Sequence, residues 1–390
     1  MAKDSSIPER RIPVNNILLA CIYIFINTLF VWKYASDYLP YPIVLSLIYF
    51  MIMFIVLYFA LKDYEINLSA SVQSRIYFSV VAFSACVLTI IMFQFDPEKI
   101  AVGRYPAMYE WITRLLSGEF PYASDINPSG FPVLFILAIP FYILGDLGFF
   151  QIFSFLVLAL IIHLGRGEND LFRLRSILLL IISPIFLFEI VVRSDLFSNM
   201  AIVMLYLVIF QLYGRNREHI FPIMFGVAGG LLLSTRGVVF LIYIVFFLYM
   251  IRRHRFKYGF FIFSMFAGFI LTLAPFLIWN ADHFIESGPF AIQLSYIPGW
   301  VFFLSIIASV MCGLSIKSLK GIYTAISVTL FGVVLVAFVI SIINFGLIES
   351  VLGDRFDISY FSFALPFLLI SFGTAGAPLP TQMAGDRKAH

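Results

Sequence analysis

Charged residues that interrupt long apolar runs are the ones with chemistry to offer in this chain, and they fall in a few groups. Asp96 and Glu98 follow one apolar run, and Arg104 and Tyr105 open the next segment. Arg193 and Asp195 close another run, Arg236 sits in a short polar interruption, and Asp282, His283 and Glu286 share a later one. A charge at membrane depth is expensive and calls for a partner or a purpose. Arginine forks bind phosphate oxygens, and a carboxylate beside a hydroxyl can take its proton. Gathered at one water–membrane boundary, these groups suit a phosphate-bearing lipid with an acceptor hydroxyl next to it. The plainer alternative for any one of them is a loop residue that meets water. Glu189, inside an apolar run shortly before Asp195, either faces the same site or sits in a structural pair. His163 reads as a packing or interfacial residue.

The elements that position these groups follow from composition. Of 390 residues, 62% are hydrophobic and 12% charged, where a soluble domain carries about 25% charged residues. Such a chain has too little polar surface for a soluble fold. Runs such as Ile76–Gln94, Phe260–Trp279 and Gly321–Phe345 reach the roughly 20 residues one helical crossing needs, without the period-two alternation of a barrel. The fold class expected is an all-α polytopic membrane protein. The net charge of +3 points to no nucleic acid, and Cys21, Cys86 and Cys312 are too scattered for a disulfide framework or a zinc site.

Basic loops mark the cytoplasmic side. Lys3/Arg10/Arg11, Lys62/Arg75, Arg166/Arg173/Arg175, Arg215/Arg217, Arg252 to Lys257 and Lys317/Lys320 are placed there, and the loops poor in Lys and Arg outside. The crossings expected are 14–32, 41–61, 76–95, one part of 130–165, 176–192, 199–213, 220–233, 238–250, 258–279, 299–315, 321–345 and 358–374, about 12 to 13 in all. Residues 220–250 have basic flanks at both ends, so they make a hairpin with Ser234 to Gly237 at the outer surface. Residues 130–165 look like two helices broken at Gly145-Asp146, yet charge demands an odd count there. One part is then re-entrant or interfacial. The polar start, Met1 to Pro13, leads into an uncleaved first helix. A single transmembrane domain thus covers 1–375, with a short disordered tail at 376–390.

The largest hydrophilic feature is the external segment 96–129. In it Tyr105, Met108, Trp111, Ile112, Leu115 and Leu116 recur at helical spacing, with Arg104, Glu110 and Arg114 largely off that stripe. The pattern describes a juxtamembrane amphipathic helix lying along the surface.

Asp96-Pro97-Glu98 after a crossing, then this helix, Leu115 to Tyr122, Gly130-Phe131-Pro132, Pro140 to Asp146, Ser183-Pro184 and Arg193-Ser194-Asp195 follow in an order that resembles the N-terminal half of GT-C fold glycosyltransferases. That superfamily includes protein O-mannosyltransferases, aminoarabinose transferases and polyprenyl-phosphate-mannose-dependent mannosyltransferases. The likeness covers about residues 76–240. It implies a GT-C-like fold and an enzyme that moves a sugar from a polyprenyl-phosphate donor to a lipid, glycan or protein acceptor on the non-cytoplasmic face, with inversion. It implies catalytic roles for Asp96, Glu98 and Asp195, and donor-phosphate or substrate binding by Arg104, Arg193, Arg236 and Tyr105. If a divalent cation such as Mg or Mn takes part, Asp96 and Asp195 are its implied ligands. The implied location is a bacterial or archaeal plasma membrane, or the endoplasmic reticulum membrane of a eukaryote. The chain departs from the family where adjacent prolines and an Asp-Glu pair are usual. Two alternatives stand beside it: an O-antigen-type polysaccharide polymerase, which should carry an arginine-rich external loop in the second half, and a lipid or solute transporter, which should show inverted repeats.

Overall fold

The computed structural model describes residues 14–36, 39–61, 69–100, 104–124, 126, 128–165, 170–213, 220–253, 258–295 and 298–372. The expected disordered tail at 376–390 and the basic start at 1–13 lie outside them. Among the described residues there are helices and turns and no strand. Long rods come first: α1 (Val14–Ala35), α2 (Pro42–Leu61) and α3 (Ala70–Gln94). The amphipathic α4 (Arg104–Leu116) follows, then α5 (Pro132–Ile143) and α6 (Phe149–Leu164), parted by a turn in which Gly145 has φ +100°. Next come α7 (Asp170–Ile181), α8 (Pro184–Val191), α9 (Leu196–Tyr213), α10 (Ile220–Leu233) and α11 (Val239–Arg253). The chain ends with α12 (Tyr258–Glu286), α13 (Pro289–Ser295), α14 (Gly299–Ser315), α15 (Leu319–Phe345), α16 (Leu347–Val351) and a 3₁₀ segment, Ile358–Ala364, that runs into α17 (Leu365–Ser371).

This is an all-α, multi-pass membrane protein. Among the described residues six helices, in α1, α2, α3, α9, α12 and α15, are long and apolar enough to cross a bilayer, and the α7–α8 pair makes a seventh if it is one span. The other expected crossings fall on shorter apolar helices of 10–17 residues. The α7–α8 pair bends by 58°, because Pro184 has no N–H to give and crowds the residue before it. Asn27 of α1 closes the break, its Oδ1 accepting from Ser183 Oγ at 2.7 Å and from the Ile185 N–H at 3.4 Å.

Contacts between helix ends sort the ends onto two faces. The end of α3 meets Arg193 between α8 and α9, and the start of α5 meets the α10–α11 turn. The end of α1 meets Gly353 through the Lys33 ammonium. Away from that face, Ser176 in the middle of α7 donates to Leu369 near the end of α17. The first set holds nearly all the charges of interest and is called here the charged face.

Residues 130–165 resolve in these terms. At the start of α5 the N–H groups of Phe131 and Val133 donate to the carbonyls of Thr235 and Ser234, and just beyond its end Asp146 binds Arg193. Both ends of α5 therefore lie on the charged face. At 12 residues it is about 18 Å long, too short for the hydrocarbon layer in any case. Only α6 runs from the charged face toward the other, which accounts for the odd count.

Two expectations need correction. The apolar stripe of α4 faces protein: Met108, Trp111 and Ile112 are fully buried, with the Trp111 ring stacked on Phe135 at 4.5 Å and near Tyr122 and Phe276. Aromatic partners from α5 and α12 give this stripe a protein surface to cover, and Leu116, expected in it, is exposed. Asp282, His283 and Glu286, expected in a loop, are helical. Asn280 breaks α12 (φ −156°, ψ 87°), and its Oδ1 accepts the His283 N–H at 3.1 Å, capping a new turn that carries the helix to Glu286.

Candidate functional site

Arg236 stands in the turn between α10 and α11, which Gln293 of α13 clips in place by accepting the Gly237 N–H at 2.8 Å while donating to the Ser129 carbonyl at 2.6 Å. Its guanidinium reaches Asp195 at the mouth of α9, with Nε and Nη2 donating to one oxygen, Oδ2, at 2.8 and 2.5 Å. Both side chains are at most 5% exposed. Asp195 precedes the first turn of α9, where unpaired N–H groups favour a negative charge. Because both bonds go to one oxygen, the pair is not a closed fork. Nη1 of Arg236 has no partner among the described residues.

Arg104 opens α4 and points toward the C-terminal part of the chain. Its Nη2 donates to Asp357 Oδ2 in a short ion pair and to Ser359 Oγ at 3.0 Å, and its guanidinium lies 4.6 Å from the Tyr360 ring centre. Asp357 caps the 3₁₀ segment, Oδ1 accepting the Ser359 N–H at 2.9 Å and its hydroxyl at 2.6 Å. The crowding around Asp357 opposes ionisation, but Arg104 and the two bonds from Ser359 outweigh it and hold the carboxyl below the usual aspartate range. Asp357 keeps 46% of its side chain accessible while Arg104 keeps 11%, so the pair stands where the site opens.

Glu189 of α8 completes this group. It is fully buried, accepts the Phe197 N–H at 3.1 Å, and lies within electrostatic reach of Arg104 and Asp195. Two arginines and three carboxylates from five separate segments thus form one network, graded from accessible at Asp357 to enclosed at Glu189. One helical turn further along α9, Asn199 is fully buried with neither its amide oxygen nor its nitrogen partnered among the described residues, and the same holds for the hydroxyls of Ser198 and Ser234.

Arg193 behaves differently. All five of its N–H groups are taken: Nε and Nη2 by Asp146 at 3.0 and 3.1 Å, Nη1 by the carbonyls of Phe95 and Val191, and Nη2 again by the carbonyl of Met92. Asp146 also accepts the Gly148 N–H at 2.7 Å. Arg193 carries a positive φ of 50°, rare for a residue with a side chain. Its surroundings impose that strain. No donor remains for a ligand in this arrangement. Tyr105 lies against it, ring centre 6.0 Å from the guanidinium. Burial, then Asp146 and Glu98, push the Tyr105 phenol up, against the pull of Arg193.

Asp96 and Glu98 stand at the exposed rim just past α3. Asp96 pairs with Lys99 at 3.4 Å and accepts the Glu98 N–H at 3.1 Å. Of the residues the sequence singled out, Arg104, Asp195 and Arg236 come together in the buried network, and Arg193 and Tyr105 form a second cluster beside it. Asp96 and Glu98 sit outside both. Asp357, Ser359 and Asp146 were missed. Asp146 had a signal, a lone acid in an apolar stretch, but Asp357 lies 253 positions from its partner and looks like any loop aspartate.

The metal reading does not fit these donors. Asp195 is engaged by Arg236, Asp96 by Lys99, and among the described residues no group of three or more His, Cys, Asp or Glu could hold a cation. Positive charge at this site comes from arginine. No protein-family model, no curated protein and no solved structure matches the chain.

Proposed function

We propose that the chain is a membrane glycosyltransferase that transfers a sugar from a polyprenyl-phosphate donor to a lipid, glycan or protein acceptor at the charged face, which we take as the non-cytoplasmic one. In this reading the fold is GT-C-like and the shorter apolar helices other than α5 also cross, giving about a dozen passages. The observation that carries the reading is the pair of largely enclosed arginines, Arg104 and Arg236, each held by a carboxylate yet left with N–H groups that no described residue accepts. Such donors, fixed before the ligand arrives and shielded from water, suit the phosphate of a lipid carrier whose apolar chain runs between the helices.

The chemistry then needs few parts. The acceptor oxygen attacks the anomeric carbon, and the bond from that carbon to the phosphate oxygen breaks. The phosphate leaves with the electron pair, its growing charge met by Arg104 and Arg236. The acceptor proton passes to a carboxylate, for which Asp96 at the water-facing rim is the choice, with Glu98 beside it. One displacement inverts the anomeric centre. Asp195 and Asp357 orient the two arginines, and Arg193 is reassigned from substrate contact to holding the end of α3, and with it Asp96. A transporter reading is less favoured because transport sites lie near the midplane between repeats, whereas these charges sit at helix ends on one face.

The test is transfer from radiolabelled polyprenyl-phosphate sugars to a membrane extract by the purified, reconstituted protein. Wild type is expected to transfer, and Asp96→Asn and Asp195→Asn each to lose about 100-fold or more. Transfer that survives both substitutions rejects the site, and no transfer from any prenyl donor rejects the reaction.

A further inference from the structure

Three tyrosine rings stand on the charged face beside the acids at its rim, and the reaction written above does not use them. Tyr105 and Tyr109, one turn apart on α4, stack with ring centres 5.9 Å apart, and Tyr142 of α5 continues the row 5.1 Å from Tyr109. Hydroxyl bonds fix the last two rings. Thr113 Oγ1 donates to the Tyr109 carbonyl at 2.9 Å, which spends its one hydrogen, so the Tyr142 hydroxyl donates to Thr113 at 3.1 Å. Tyr109 is hydrogen-bonded to Tyr142 in turn. The row stays open to a ligand: Tyr109 is 42% exposed, and Tyr105 and Tyr142 are partly so. It also joins the two parts of the reaction. Tyr105 directly follows Arg104 at the start of α4, and Glu98 lies within electrostatic reach of both Tyr105 and Tyr109, its own N–H held by Asp96.

An aromatic ring is negative on its face and positive at its edge. A pyranose offers the complement, a flat patch of weakly positive C–H groups with hydroxyls around it, so a row of rings edged by phenol hydroxyls and a carboxylate suits it. A lipid acceptor would call for an apolar groove here, and a peptide for free backbone partners. Tyrosines also anchor proteins in the headgroup layer, but an anchor has no need of a row that runs from the rim acids to Arg104. We propose that the acceptor is a glycan and that Tyr109 and Tyr142 form the platform on which its ring stacks, with Tyr105 guiding the chain end toward Arg104 and Asp96. The assignment rests on the donor reading given above and narrows its acceptor to a sugar chain. The acceptor then enters from the accessible rim, the side on which Asp96 takes its proton.

The experiment measures binding of soluble disaccharides (mannobiose, maltose, cellobiose and chitobiose) to the full chain in lipid nanodiscs by saturation-transfer NMR. Wild type is expected to bind at least one of them. Tyr109→Phe, which keeps the ring, should hold most of that affinity, and Tyr109→Leu, which keeps apolar bulk without a ring, should weaken it by about 3- to 10-fold, the worth of one aromatic contact. Tyr142→Leu repeats the test from the neighbouring helix. The rise in melting temperature on adding bare polyprenyl phosphate is read alongside; it needs none of these rings, and its survival in the leucine variants shows that they are folded. Leucine variants that bind the disaccharide as well as wild type would mark the row as a bilayer anchor and overturn the platform. Wild type that binds polyprenyl phosphate but no disaccharide would overturn the glycan acceptor and leave the donor reading standing, and wild type that binds neither would overturn both.

Discussion

Arg193 and Arg236 are both buried arginines at helix ends on the charged face, each paired with an aspartate, and they differ in how completely they are used. Arg193 spends every N–H on protein acceptors and accepts backbone strain to do so, whereas Arg236 places two bonds on one carboxylate oxygen and keeps Nη1 free of partners among the described residues. Charge alone does not mark a binding site. An arginine with all its donors taken is part of the frame, and one with donors to spare is available to a ligand.

The largest effect is expected where the frame is cut. Arg193→Ala leaves Asp146 without its partner and frees the carbonyls at the end of α3, and it should destabilise the protein by about 3–5 kcal/mol, the scale for breaking a buried pair. Thermal unfolding in detergent checks this; a variant that melts like wild type would erase the distinction between the two arginines. Next comes the double variant Asp195→Leu with Arg236→Leu, which removes a buried pair together. Stability should stay within about 1–2 kcal/mol of wild type, since apolar replacements of buried pairs are often neutral. Sugar transfer should fall about 100-fold or more, and a double variant that keeps its activity would move the site elsewhere.

Asp357→Asn is expected to matter less for the fold. Its carboxylate is half accessible, so the pair with Arg104 contributes at most about 1 kcal/mol, and the larger consequence should be weaker donor binding through a loosened Arg104. The smallest effect is on pH. Because Asp357 titrates below its ordinary value in the folded protein, its contribution is fully present above the unfolded aspartate range near pH 4 and is lost as pH falls through the lower folded value. The melting temperature of wild type should therefore drop more steeply than that of Asp357→Asn below about pH 4. Parallel curves would show that the pair adds nothing to stability.

Legibility in the sequence followed the range of the interaction. The amphipathic α4 was readable from its own 13 residues because stripe and polar face are local, although whether the stripe faces lipid or protein depends on Phe135 and Phe276, brought in from elsewhere. The hairpin at Ser234 to Gly237 and the break at Gly145-Asp146 were marked by charge and glycine. The lie of α5 was not, since an apolar segment of that length reads the same whether it crosses the bilayer or packs along one face. Asp195 and Arg236 stood out as charges beside apolar runs. Their pairing did not, nor did that of Arg104 with Asp357, because these contacts join segments that only the folded bundle brings together.

The central claim is that Arg104 and Arg236, with donors that no described residue accepts, and not the fully engaged Arg193, receive a lipid phosphate. Arg104→Gln tests it most directly, since the partner of Arg104 is half exposed and the fold does not depend on the pair. The measurement is the rise in melting temperature of the reconstituted protein when bare polyprenyl phosphate is added. Wild type should be stabilised, as any ligand bound only by the folded state must do, and Arg104→Gln should lose most of that rise while melting normally without lipid. Equal stabilisation of both proteins by the lipid, or of neither, would contradict the account.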